Sequence, residues 1–321
     1  MPNIQSSYSP GFLYRNRHIN TIFANRIRPQ TVAPYVRKRF HSEDGDFYDV
    51  DTVLNDHSTA IVLMHGLEGS SQSSYILEMA HHFSDKYDVW AMNHRSCSGE
   101  PNLLYSSYHS GHTKDLAALI NYLEERYQSV ILLGVSLGGN ITLLHVGQLG
   151  DAISKKIKAV IGISVPVQLN TAAKVLQKSK NLIYLQDFLV SLKGKVIPKL
   201  EKYNKSQELI NKIRKAKTFV EFDSLYTGPA HGFKDAEDYW TQCSAEQYLQ
   251  RIAIPTLLVN AKDDPFLSDE CYPFEKAENN DDLFLETPKY GGHVGFLTSY
   301  KSKRWYLTRV DEFLMEHLKK N

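Results

Sequence analysis

The stretch Val130-Ile131-Leu132-Leu133-Gly134-Val135-Ser136-Leu137-Gly138-Gly139-Asn140 decides the reading of this chain. An apolar run rich in β-branched residues stops at a serine, and a helical pattern begins at once. Gly134 and Gly138 stand two residues either side of Ser136, in the spacing Gly-x-Ser-x-Gly. Between a strand and a helix, that spacing predicts a turn so sharp that the serine is strained and its hydroxyl projects above the sheet. Side chains at the two flanking positions would collide, which is why glycine stands there. The next amide, that of Leu137, opens a helix and points its N–H to where an oxyanion can form. Out of this context, the same serine is the cap of an ordinary helix.

Working outward, strand-like runs alternate with helical ones at 60–64, 87–93, 129–135, 158–165, 254–260 and 283–287. That rhythm predicts a mostly parallel sheet with helices on both faces. Helices are expected over about Ser73 to Ser84, Thr113 to Tyr127, the stretch after Ser136 to about Gly150, and about Lys303 to Lys319. Asp44-Gly45-Asp46 is a turn between two strand-like pieces, the second being Phe47 to Leu54. Residues 1–40 read as an irregular N-terminal arm. The chain is 321 residues long, which fits one large α/β domain with an insertion better than two independent domains.

The rhythm breaks over 166–252, where the pattern is helical and predicts an insertion forming a cap. Leu182, Leu185, Phe188, Leu189 and Leu192 lie at helical spacing. From Lys174 to Lys217 there are twelve Lys and Arg against Asp187, Glu201 and Glu208. Such a segment can touch an anionic membrane surface, or can simply be a solvated face on a helical cap. Phe222-Asp223 and Tyr226 to Phe233 read as a loop.

Three residues complete a chemistry around Ser136. A serine hydroxyl is a poor nucleophile at neutral pH and needs a base to take its proton. His293, set among glycines in Tyr290-Gly291-Gly292-His293-Val294-Gly295, can be carried back over Ser136. A carboxylate behind the imidazole would fix its tautomer, and Asp263 and Asp264 follow a late strand. Being adjacent, they point in different directions. Asp264, before Pro265, is favoured as the acid and Asp263 as a brace. The order Ser136, Asp264, His293 differs from the two common protease orders. After the strand at 60–64, His65-Gly66-Leu67-Glu68-Gly69-Ser70-Ser71 offers the Leu67 N–H as the second oxyanion donor, facing Leu137. That loop lacks Gly-Lys-Ser/Thr and GxGxxG, which speaks against a phosphate loop. His65 reads as a structural residue and Cys97 as an inert small one. His41 and Asp46 make an HxxxxD spacing, read as part of a turn.

Composition narrows the rest. The formal charge of +1 gives no global signal for nucleic acid. Three widely spaced cysteines, Cys97, Cys243 and Cys271, make neither a metal pattern nor an even disulfide set, so a reducing, cytoplasmic setting is expected. The start lacks a basic stretch followed by an apolar run, so no signal peptide is expected. No apolar run reaches the ~18–20 residues of a membrane span.

Taken together, these motifs resemble the α/β-hydrolase superfamily, and within it the YheT-like branch of esterases. The resemblance spans nearly the whole chain, from Asp44-Gly45-Asp46 through His65 to Ser71, Asn93 to Glu100, Gly134 to Asn140, Phe222-Asp223 with Gly232-Phe233, and Asn260 to Phe266, to Gly291-Gly292-His293. It implies an α/β-hydrolase fold and a serine hydrolase acting on carboxylic esters, with lipid-derived esters in scope. It carries over Ser136 as nucleophile, Asp264 as acid and His293 as base. Such chemistry needs no metal or organic cofactor, and its partner is a small-molecule or lipid ester. Acyl transfer through the same acyl-enzyme, and a non-catalytic binding protein on the same scaffold, are the alternatives.

Overall fold

Among the described residues nine strands make one sheet: β1 (Asn3–Ile4), β2 (Val36–His41), β3 (Phe47–Val53), β4 (Thr59–Met64), β5 (Asp88–Met92), β6 (Ser129–Val135), β7 (Ile157–Ile163), β8 (Thr256–Val259) and β9 (Leu283–Glu286). In space they run β1-β9-β8-β7-β6-β4-β5-β3-β2. The computed structural model describes residues 3–27 and 31–318; the expected helix end at Lys319 lies outside them. From β4 and β5 across to β9 every pairing is parallel, whereas β3 runs antiparallel to both β5 and β2.

Alternate residues of the central strands feed two cores, one on each face of the sheet. Ala60, Val62 and Met64 of β4 join Val130 and Leu132 of β6 on one face, against Leu116, Leu119 and Leu123 of helix Lys114–Glu124. Ile61, Leu63, Ile131 and Leu133 face the other way. They meet Ile76 and Phe83 of helix Ser74–Phe83 and Leu307, Val310 and Phe313 of helix Trp305–Leu318. Each such fully buried side chain stabilises the fold by roughly 1.5–3 kcal/mol before entropy is counted. The helix that opens after Ser136, Leu137–Leu149, is buried continuously from Leu137 to Gly147. It packs into the body of the fold, while Ser136 at its start is half-buried and faces a cavity.

The expected strand at 254–260 begins only at Thr256, because Pro255 has no N–H to give to a ladder. The arm is more ordered than its composition suggests. Asn3–Ile4 adds a parallel edge strand beside β9, and Arg17–Ile22 is a helix whose N-cap, Asn16, accepts from the amides of His18 and Ile19.

Between β7 and β8 the helices Leu169–Leu176, Leu182–Lys202, Gln207–Lys215 and Ala236–Cys243 share a hydrophobic cluster of their own, built on Leu185, Leu189, Leu200, Ile213, Phe222 and Trp240. Ala245, Leu249 and Ile252 instead join the main core. The segment expected to be a loop is helical as far as Ala230, and only His231 to Phe233 form the turn beyond it. Phe219–Phe222 carries a capping box, with Thr218 and Glu221 satisfying each other's amides, and Asp223–Thr227 and Gly228–Ala230 continue it. Asp223 is buried there, accepting from Thr227 Oγ1 at 2.6 Å and Trp240 Nε1 at 3.0 Å.

Candidate active site

Ser136 follows β6 with φ 53° and ψ −120°, a left-handed conformation that a side-chain-bearing residue rarely holds. Two glycines make the turn possible. A Cβ on Gly134 would sit 2.5 Å from the carbonyl oxygen of Gly138, and one on Gly138 would sit 2.5 Å from those of Met64 and His65. The Ser136 N–H donates to Ile163 O on β7, so the strained residue is tied to the sheet.

His293 comes to this serine from the loop after β9. Its Nε2 is 3.1 Å from Ser136 Oγ, and its Nδ1 lies 2.9 Å from Asp264 Oδ2 and 3.1 Å from Oδ1. An ionised carboxylate can only accept, so the ring proton sits on Nδ1 and Nε2 is free to accept from the hydroxyl. Asp264 follows β8 and takes the Phe266 N–H at 2.9 Å, and the Phe266 ring lies 4.1 Å from the imidazole, centroid to centroid. Asp263 turns away. Its Oδ1 accepts from Gly292 N–H at 2.9 Å, and burial raises its pKa to about 6.

Several braces of this loop carry no motif and were invisible in the sequence. The His293 N–H donates to Thr21 Oγ1 at 2.8 Å, and Asn25 Nδ2 donates to the His293 carbonyl at 3.2 Å, both from the N-terminal arm. The Val294 N–H donates to Ser164 Oγ, just past β7. A Cβ on Gly292 would meet Arg17 O and Thr21 Oγ1 at 2.6 Å, so the arm can approach only a glycine there. No local pattern at Thr21 or Asn25 announces this; a hydroxyl and an amide in a polar arm look like surface.

The loop after β4 packs directly behind the serine: a Cβ on Gly66 would lie 3.1 Å from Ser136 Cβ. Leu67 and Leu137 both line the cavity in front of Ser136 and His293. His65 is fully buried beneath. Its Nε2 accepts the His94 N–H at 3.1 Å and its Nδ1 donates to Gly66 O at 2.7 Å. Burial and the neighbouring His94 hold its pKa well below the usual histidine range, so it stays neutral. Cys97 is buried, with its thiol pushed up to about 11 by burial. Asp46 spends its carboxylate on the amides of Phe47, Leu103 and Leu104, which is a structural use.

The cavity has a volume of about 130 Å³ and opens on a groove of about 400 Å³ that shares Ser136 and His293. The 166–252 insertion supplies much of its apolar wall, including Leu176, Phe188, Val196 and Phe219. Lys195, Lys199 and Asp223 put charge into the same wall. Lys199 is buried against Asn102 and the Ser106 carbonyl, and burial lowers its pKa to about 8. The groove runs between Thr21, Asn25 and Arg26 of the arm and Tyr184 and Asp187 of helix Leu182–Lys202.

Comparison with known proteins places these features in a lineage. A family model described as alpha/beta hydrolase fold matches residues 59–300. The chain is 31% identical over 316 residues to "Putative esterase YheT" of Escherichia coli (strain K12), covering 95% of this chain and 92% of that one. It is 28% identical over 322 residues to "Phospholipase ABHD3" of Bos taurus, covering 96% and 78%. Among solved structures, the Pyrococcus furiosus esterase Pf2001 superposes with a TM-score of 0.61 at 15% identity, covering 90% of this chain and 97% of that one. At that identity the likeness speaks for the fold alone. With the model match and the YheT relationship, the chain belongs to the alpha/beta hydrolase family.

Proposed function

We propose that this protein is a carboxylic ester hydrolase in which Ser136, His293 and Asp264 act as a catalytic triad. The observation that carries the reading is the unbroken hydrogen-bond chain from Ser136 Oγ through both ring nitrogens of His293 to Asp264. As Ser136 Oγ attacks the acyl carbon, His293 Nε2 takes its proton, and Asp264 stabilises the imidazolium. The Leu67 and Leu137 N–H groups receive the oxyanion. His293 then hands the proton to the leaving alcohol, which departs and leaves an acyl-enzyme. Water, deprotonated by the same nitrogen, attacks the acyl carbon and frees the acid. The experiment is labelling with a fluorophosphonate followed by peptide mapping. The reading requires the modification on Ser136; an unlabelled protein, or label elsewhere, contradicts it.

A lipid-like acyl ester suits the apolar wall of the cavity, and one relative bears the name of a phospholipase. The 166–252 insertion then serves as the roof of the acyl site. Contact with an anionic membrane fits the rim of the groove better than the insertion's whole basic content, since Lys195 and Lys199 are turned into the cavity. Ile183 and Val190, 69% and 70% exposed, are the chain neighbours of the groove residues Tyr184 and Ser191, and Ile19, 43% exposed, is on the arm helix that carries Thr21. His18 of the arm lies 2.9 Å from the Tyr184 hydroxyl, which brings these segments together. Arg26 lines the groove, where it is paired with Asp187, and Lys180 lies near enough to His18 to disfavour its protonation. No helix among the described residues is long and apolar enough to cross a membrane. Three free, buried cysteines suit a reducing, cytoplasmic setting.

A further inference from the structure

Glu68 follows Leu67, whose N–H the proposed reaction uses. It is a non-glycine residue with φ 56°, a conformation that an L-residue keeps only when its surroundings hold it. Its carboxylate is 4% exposed and is gripped from two directions. From below, the Tyr108 hydroxyl donates to Oε1 at 2.7 Å and accepts the Glu68 N–H at 2.9 Å, closing a ring around the backbone. Tyr108 is itself stacked on His94 at 5.0 Å, and His94 Nε2 donates to His65 O at 2.9 Å. This side is made by loops over the sheet, with Tyr108, His94 and His65 all buried.

From above, the grip comes from the insertion. Lys195 Nζ lies 3.1 Å from Oε1 and 3.0 Å from Oε2, and Ser191 Oγ donates to Oε2. Ser191 and Lys195 are one turn apart on helix Leu182–Lys202, so they reach down from one face of it. Lys195 also lies 3.2 Å from Cys97 Sγ. The roof of the cavity is thereby bonded to the residue beside the Leu67 oxyanion donor.

We propose that Glu68 is a positioning residue of the oxyanion hole and that helix Leu182–Lys202, by seating Lys195 and Ser191 on its carboxylate, sets the aim of the Leu67 N–H. The inference rests on the hydrolase reading and extends it, by making transition-state stabilisation depend on a closed roof. With the helix seated, the buried carboxylate has its cation and the left-handed turn has a side-chain anchor on each side. With the helix lifted, the charge loses its partner and the turn is free to relax. The amide then drifts off the line to the oxyanion until the helix returns.

The test uses the full chain with substitutions K195M, K195R, S191A and E68Q. Two quantities are measured: p-nitrophenyl butyrate kinetics, and inhibition by a trifluoromethyl ketone whose serine adduct carries an oxyanion. K195M is expected to lower kcat by about tenfold to a hundredfold, with ketone affinity weakened by the same factor. KM should stay within about twofold, since the interaction is felt in the transition state. K195R should restore most of the rate, S191A should show a smaller loss, and adding K195M to E68Q should cost nothing further. Wild-type kcat and ketone affinity in K195M overturn the proposal, as does a rise in KM alone, which marks Lys195 as mere pocket wall. If K195M does not fold, S191A decides, and unchanged kcat and affinity there overturn it. A wild-type protein that neither turns over the ester nor binds the ketone fails earlier and overturns the hydrolase reading itself.

Discussion

Asp264 meets His293 through both carboxylate oxygens, at 2.9 and 3.1 Å from Nδ1, while the adjacent Asp263 faces the other way and holds the Gly292 amide. Two identical side chains, one residue apart, therefore have separable roles. D264N should lower kcat on p-nitrophenyl butyrate by about 10³–10⁴-fold, because the amide favours the wrong imidazole tautomer. D263N should lower it by less than about tenfold, since the amide keeps an oxygen for Gly292 and never touches the ring. Steady-state kinetics of the two variants side by side check this; the reverse ranking would assign the acid to Asp263.

Asp263 also leaves a signature in stability. Burial raises its pKa from 3.8 to about 6 in the folded chain. At this site the folded state binds more protons than the unfolded one between those values, so its contribution to stability falls as pH rises through that window and is level above it. D263N removes this contribution. The buried histidines work the other way: burial lowers His94 and His145 to about 4, so their folded forms bind fewer protons than the unfolded chain and stability rises with pH over the same range. Urea denaturation at several pH values between about 4 and 7 should therefore show a steeper rise in stability with pH for D263N than for the wild type.

The contrast between Ser136 and Thr21 shows what the sequence could reveal. The central strands, the turn at Ser136 and the order of Ser136, Asp264 and His293 were legible because each is local. A β-branched run, a glycine two residues away, or an acid at a strand end announces itself within ten residues. The turn before Pro265 favours Asp264 as the partner of His293, but adjacency leaves Asp263 open in the sequence, and only the hydrogen bonds to His293 and Gly292 separate the two. Thr21, Asn25 and Ser164 were illegible for the opposite reason. Their partners lie 130 or more positions away, and nothing near them in sequence is unusual. Glu68 sat inside a quoted motif, yet its left-handed backbone and its hold on Lys195 belong to tertiary packing alone. The insertion's lysines could not be sorted by a charge count, since counting cannot tell a solvated lysine from one turned inward, as Lys199 is.

Thr21→Val tests the bracing by the arm. Valine keeps the shape but neither accepts the His293 N–H nor donates to Arg17 O, which Thr21 does at 2.8 and 2.7 Å. Stability should drop by about 1–3 kcal/mol, since a buried amide loses its acceptor. With the imidazole less firmly aimed, kcat should fall about tenfold. Thermal melts and butyrate kinetics on the same preparation separate the two effects; an unchanged kcat would make Thr21 a brace of the fold only.

The rim of the groove is tested by Ile183→Ser with Val190→Ser, two exposed positions away from the reacting atoms. Vesicles of phosphatidylcholine with phosphatidylglycerol should sediment less of this variant than of the wild type. Hydrolysis of soluble p-nitrophenyl butyrate should be unaltered. Wild-type binding should weaken as salt rises from about 0.1 to 1 M, because the Debye length shrinks from about 10 to 3 Å. Equal sedimentation of variant and wild type, or none of either, rules out the rim as a membrane contact.

The most direct measurement of the central claim is the turnover of p-nitrophenyl esters by Ser136→Ala beside the wild type, with circular dichroism on both. Among the described residues the Ser136 hydroxyl is hydrogen-bonded to His293 alone, so alanine should leave the fold intact while the rate falls by about 10⁴-fold or more. A folded Ser136→Ala protein that hydrolyses these esters at the wild-type rate would contradict the account.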